Sequence, residues 1–171
     1  GLKPLLAIPN MITNDILALY AVFFIAYNLA KSYDRDPGIA GMISLASFLA
    51  ITPIVNTTNI IKDFVSKNNI TIPEDLKING FNAIPYDWIG SRGLFVAIIV
   101  ALVSTIIYNY LLTKGISIKL PDSVPPTIGK SFAGLIPGFV IMILFMLIDR
   151  AMTLIPNVNG IVIDMELIAR G

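Results

Sequence analysis

The sequence predicts an all-α membrane protein with about four transmembrane helices, an interfacial helix and one long loop. Three observations lead there. Of the 171 residues, 56% are hydrophobic and 13% charged, and the mean hydropathy of +0.80 lies far from the soluble norm. The charges gather between long apolar runs instead of alternating with apolar residues along helix faces, so a soluble amphipathic core is hard to build from them. Nothing in those runs alternates as barrel strands do, and in lipid the backbone groups must then find their partners within helices.

The four expected spans cover residues 16–31, 39–55, 94–112 and 132–148. A helix crosses the hydrocarbon core with roughly 17 to 25 residues. Thr13, Asn14 and Asp15 can cap and charge the start of the first span. Its short apolar run gains length through Lys31, whose stem can snorkel to the headgroups. Asp36 followed by Pro37 has the pattern of an N-cap with proline at the first helical position, so the short turn at 31–38 makes the first two spans an antiparallel hairpin.

Residues 56–93 form the long connection, expected as a loop in which 68–80 are rich in Asn, Pro, Gly and charge, with a short strand at 70–72. Tyr86 and Trp88 stand just before the third span, where an interfacial aromatic belt places such rings. The first connection and the one at 113–131 carry Lys31, Arg35, Lys114, Lys119 and Lys130 in fewer residues than the second takes for its four cations. They are accordingly expected on the cytoplasmic side, although Arg150 in the tail votes the other way.

Residues 116–131 read ISIKLPDSVPPTIGKS. Ile116, Ile118 and Leu120 alternate with polar residues as in a short extended stretch. Asp122 or Ser123 can then cap a helix that starts near Val124, with Pro125 and Pro126 in its first turn. This helix is expected to lie along the interface to about Lys130 and then turn into the membrane as the fourth span. There, Gly134 and Gly138 have the spacing that lets helices approach closely. Pro137 between them crowds the carbonyl of Ala133, so a kink or hinge is expected at that point.

The chain contains neither cysteine nor histidine, which removes disulfides, thiolate nucleophiles, imidazole bases and the usual zinc ligands together. No catalytic residue, metal ligand or cofactor is expected, and a formal net charge of +1 leaves no footprint for nucleic acid. The span interiors hold Asn28, Ser44, Ser47, Thr52, Ser104, Thr105 and Asn109 but no Asp, Glu, Lys, Arg or His. This speaks against a self-contained ion-coupled transporter, unless the charged groups lie on helices beyond this sequence. Tyr20, Phe23, Phe24 and Tyr27 make an aromatic stripe on the first span. Tyr20 and Tyr27 are the candidates for sugar contact, and lipid contact or packing is the commoner use of such a stripe. The first residue is Gly1 and no signal peptide opens the chain, so both ends are expected to be boundaries of a segment.

Residues 120–139, LPDSVPPTIGKSFAGLIPGF, resemble the signature region of the enzyme IIC permeases of the bacterial sugar phosphotransferase system, in the lactose, cellobiose and diacetylchitobiose group. Residues 16–53 and the stretch WIGSRGLFVAIIVAL at 88–102 are similar to the same group, in the family's order. The resemblance implies a homodimeric, multi-pass permease of the bacterial cytoplasmic membrane that passes a β-linked disaccharide inward. Partner proteins IIA and IIB would supply phosphate from phosphohistidine and phosphocysteine. It also implies that residues 1–171 are the amino-terminal half of a larger helical domain, without its first helix. The family's sugar-gripping histidine and glutamate belong to the other half, so disaccharide would be held there. Pro121, Asp122, Ser123, Pro125 and Pro126 correspond to the family's inner connection. The competing expectation is a membrane assembly module with no transport activity.

Overall fold

The computed structural model describes residues 8–9, 12–68, 70, 79–118, 120–121 and 125–154. Helix α1 (Leu17–Ser32) begins without a side-chain cap. The Thr13 hydroxyl, expected near that cap, donates instead to the carbonyl of Pro9 at 2.7 Å. The helix ends where Asp34 takes a left-handed conformation at φ 53°, which Asp tolerates better than most residues. Helix α2 (Pro37–Ile51) then starts as the sequence predicts: the Asp36 carboxylate accepts from the amide of Ile39 at 3.1 Å, with proline at the first helical position. The two helices form the expected hairpin.

The second helix stops at Ile51, earlier than the expected residue 55. Pro53 drives the residue before it out of the α region, and Thr52 is indeed extended at ψ 131°. Residues 56–93, expected as a loop, hold a strand pair and a helix instead. Strand β1 (Val55–Asn56) pairs antiparallel with β2 (Asn82–Ala83), Val55 facing Ala83 and Asn56 facing Asn82. Between them stands helix α3 (Thr57–Lys67), capped by the Asn56 side chain accepting from the amide of Thr58 at 2.9 Å. Of the strand expected at 70–72, Thr71 and Ile72 lie outside the described residues.

A short helix α4 (Tyr86–Ile89) and a 3-10 turn (Ser91–Gly93) lead into α5 (Leu94–Thr113). Its end is a Schellman motif: the amide of Gly115 donates to Leu112 and that of Ile116 to Leu111, both at 3.0 Å, with Gly115 at φ 75°. The extended stretch expected from 116 forms no strand among its described residues. Helix α6 (Pro126–Ala133) and helix α7 (Leu135–Met152) complete the described chain.

Helix α1 packs against both α2 and α5, and α2 also packs against α5 and α7, which touch each other. The α1 stripe of Ala18, Val22, Ala26 and Ala30, all at 0% exposure, is the centre of the core. Residues four apart share one helix face, and side chains this small bring the helix axes close. Two of the four expected spans have the length and hydropathy to cross a membrane, α5 with its lead-in over Ser91–Thr113 and α7. Helices α1 and α2 are apolar but hold 16 and 15 residues. At 1.5 Å per residue they reach about 24 and 22 Å, short of a hydrocarbon core of about 30 Å.

Candidate functional site: the helix interfaces and the proline connection

The α1–α2 contact is set by a glycine. A Cβ on Gly41 would stand 2.7 Å from the ring of Phe23, so a residue without one lets the aromatic pack this close to the α2 backbone. Three residues on, the hydroxyls of Ser44 and Ser104 meet at 2.5 Å in a fully buried contact between α2 and α5. Ser104 also donates to the carbonyl of Ala101 at 3.2 Å. A hydroxyl has one proton, so Ser44 must be the donor in the serine pair. Beside it Thr105 Oγ1 is buried without a hydrogen-bond partner among the described residues.

Phe23, turned into α2, separates the rest of the aromatic stripe. Its ring meets Phe24 edge-on at 5.5 Å and lies 6.1 Å from Tyr27. Tyr20 and Phe24 face outward from the bundle, while Tyr27 is half-buried. The two tyrosines singled out for sugar contact therefore sit in different surroundings.

In the proline connection Pro121 and Pro125 are exposed, and Asp122, Ser123 and Val124 lie outside the described residues. The carbonyl of Pro125 accepts from the amides of Ile128 and Gly129 at 3.0 and 3.1 Å. Pro125 thus stands at the boundary of α6, and Pro126 takes the first helical position, where no intrahelical donor is needed. The fourth expected span opens at Leu135 instead of 132, because the chain breaks at Gly134 between α6 and α7. That break removes the need for a kink at Pro137. The proline falls in the first turn of α7, where its missing N–H costs nothing, and the amide of Gly138 still donates to Gly134 at 2.9 Å.

Gly138 looks across to α2: a Cβ there would come within 3.2 Å of Ile43 Cγ1. Around this contact runs an apolar groove of about 430 Å³, lined on α2 by Gly38, Met42 and Ile43 and on α7 by Gly134, Gly138 and Met142. Buried Pro137, Ile141 and Phe145 form the inward face of α7 at four-residue spacing. Its other faces are exposed, including Phe139, Ile143 and Leu147.

Sequence reasoning missed the role of Arg35, which it counted only as a topological charge. Its Nε donates to Asn109 Oδ1 and its Nη2 to Thr113 Oγ1, both at 2.8 Å. The α1–α2 turn is thereby tied to the last turn of α5, where a cation also complements the helix dipole. The signal for it was present: Asn109 and Thr113 are one turn apart on the same helix face. Among the described residues, no three of His, Cys, Asp and Glu gather as metal ligands do. What this arrangement does is hold helices at fixed distances.

The profile of the family described as Phosphotransferase system, EIIC, matches residues 1–167. The chain is 44% identical over 131 residues to the cellobiose-specific EIIC component of the PTS system of Geobacillus stearothermophilus, covering 77% of this chain and 27% of that protein. It is 42% identical over 139 residues to the lichenan permease IIC component of Bacillus subtilis (strain 168), covering 81% of this chain and 28% of that one. Among solved structures it is similar to the transporter ChbC, the IIC component of the N,N'-diacetylchitobiose-specific phosphotransferase system. There the TM-score is 0.71 and the identity 36%, over 90% of this chain and 33% of the transporter. The chain thus spans about a third or less of the length of these relatives, in a mostly helical fold similar to that of the solved transporter, and it belongs to the EIIC permease family of the phosphotransferase system.

Proposed function

We propose that this chain is the membrane-spanning scaffold and dimer-forming part of a phosphotransferase-system permease that translocates a β-linked disaccharide of the cellobiose, lactose or diacetylchitobiose type. The relatives named for cellobiose and diacetylchitobiose support the substrate class. In this reading IIA and IIB partners phosphorylate the arriving sugar, and the complete permease sits as a multi-pass homodimer in the bacterial cytoplasmic membrane. Residues 16–31, 39–55, 94–112 and 132–148 would contain its spans. The proline connection, with Pro121, Asp122, Ser123, Pro125 and Pro126, would face the side where the phosphoryl donor works.

The observation that carries the scaffold role is the kind of polar chemistry found in the core. Among the described residues it consists of hydroxyls, one pair of which, Ser44 and Ser104, joins two helices, without a buried ionic group able to grip a sugar. The sugar site would then be built by the rest of the permease. Isothermal titration of the isolated 171-residue chain in detergent with cellobiose tests this, and no measurable heat of binding is expected. Affinity in the micromolar range or tighter would place the site in this chain, with Tyr20 and Tyr27 the first residues to replace. The assembly-module reading has one observation in its favour, the wide uncovered surface of α7. A reading frame that ends near Gly171 would favour that module. One that continues into helices carrying a histidine and an acidic residue at membrane depth would favour the permease.

A further inference from the structure

Helix α3 has the sharpest division of side chains among the described helices. At 100° per residue, Ile60, Ile61, Phe64 and Val65 fall within an arc of about 140°, and Lys62, Asp63, Ser66 and Lys67 take the remainder. None of its residues is buried, and Ile60, Ile61 and Phe64 are 54%, 41% and 60% exposed. A helix of 11 residues is marginal in water on its own, and the described residues leave its apolar face uncovered. Something else must cover that face.

The position of the helix identifies the cover. Thr57 opens α3 six residues after Ile51 closes α2. Its amide donates to the Phe81 carbonyl at 3.0 Å, and its hydroxyl accepts from the Phe81 amide at 2.8 Å. The helix start is thus pinned to the β1–β2 pair, whose strands leave from the end of α2 and lead to Tyr86 and the start of α5. That end of the bundle is where hydrocarbon gives way to headgroups if α5 crosses a membrane. Phe81 and Ile54, 70% and 66% exposed, add apolar side chains beside the same strands. A face of four residues falls far short of the roughly 1,000 Å² that a stable protein interface buries. It does suit the shallow insertion of an amphipathic helix, with the stems of Lys62 and Lys67 placed to reach lipid phosphates.

We infer that α3 is an interfacial anchor that lies in the plane of the bilayer surface, with Ile60, Ile61 and Phe64 inserted at the boundary of headgroups and acyl chains. The inference rests on the membrane reading of α5 and α7. Because the chain has no cysteine, single-thiol fluorescent labels can be placed one at a time in the chain reconstituted into phosphatidylethanolamine and phosphatidylglycerol vesicles. Labels on Ile60→Cys, Ile61→Cys and Phe64→Cys are expected to be quenched several-fold more by lipid-borne nitroxide than by aqueous iodide. Those on Lys62→Cys and Ser66→Cys are expected to show the reverse. Ile143→Cys and Leu147→Cys on the outer face of α7 serve as the membrane reference. If the reference labels follow the lipid quencher and all five α3 labels follow iodide, the anchor is overturned and the membrane reading stands. Shielding of the three apolar positions from both quenchers overturns it in favour of a protein cover such as a second copy. Failure of the reference labels to sense lipid would bring down the membrane reading and the anchor with it.

Discussion

Helices α5 and α7 are close in length and hydropathy, yet 44% of the apolar stretch of α5 is buried and only 17% of that of α7. The inward face of α5 is built largely from small and hydroxyl residues, among them Ala97, Ala101, Ser104 and Thr105, which let α1 and α2 come close on two sides. The inward face of α7 presents Pro137, Ile141 and Phe145 to the bundle, while bulky side chains such as Phe139, Ile143 and Leu147 point away from it. Hydropathy alone therefore does not distinguish a central rod from a peripheral one. In lipid, where no hydrophobic drive brings helices together, the distribution of small side chains does.

The largest effect that can break this contrast comes from a pair of identical truncations. Phe48 is fully buried on α2, whereas Phe139 on α7 is 61% exposed. Phe48→Ala is expected to cost about 2–3 kcal/mol, below the range for soluble cores because lipid is itself apolar and mainly the packing loss remains. Phe139→Ala is expected to cost under about 0.5 kcal/mol. Thermal unfolding in a mild detergent, followed by the single Trp88, measures both. Equal losses would mean that the outer face of α7 is as well covered as the buried face of α2, for example by a second copy.

The same contrast is sharpened at two glycines. Gly41→Leu drives a side chain into the Phe23 ring within the tight α1–α2 contact and is expected to cost about 1–3 kcal/mol, the usual range for overpacking. Gly138→Leu meets only the side chain of Ile43 beside an open groove and is expected to cost less than half as much. The readout is the midpoint shift in the same melting experiment. A larger loss at Gly138 would show that the α2–α7 groove closes in solution.

The sequence made the helical class, the α1–α2 hairpin and the Asp36 cap legible, because each depends on local chemistry: apolar run length, proline at the first helical position and a carboxylate within reach of free amides. It made helix starts legible at Pro37 and Pro126, but not every end that proline or glycine sets. Hydropathy could not tell that α2 yields at Thr52 or that a turn at Gly134 separates α6 from α7. Helix α3 went unread for a different reason. Its segment is polar on average, and its apolar residues stand out only when they are projected around a helix axis. The Arg35 clamp joins residues 74 and 78 positions apart, so the spacing of Asn109 and Thr113 marks an acceptor pair without naming its partner. Of the candidate site, the proline and glycine positions were visible as motifs. The alanine stripe of α1 was not, since Ala18, Ala26 and Ala30 add to hydropathy without marking which face they occupy.

The smallest expected effect probes how much polar contact adds to close packing in the α2–α5 interface. Ser44 donates to Ser104, and Ser104 donates onward to Ala101, so the two hydroxyls are not equivalent. Ser44→Ala leaves the Ser104 proton still bonded, whereas Ser104→Ala strands the Ser44 proton in a dry interface. Ser104→Ala is therefore expected to be the costlier of the two. A double-mutant cycle should return a coupling of about 0.6 kcal/mol, the typical value for hydrogen bonds between helices in a membrane. If the Ser44 proton swings back to a carbonyl of its own helix, the two single variants become equal and the coupling vanishes. The interface would then owe its closeness to the size of serine alone, and α5 would be the central rod for the same reason that alanine lines α1.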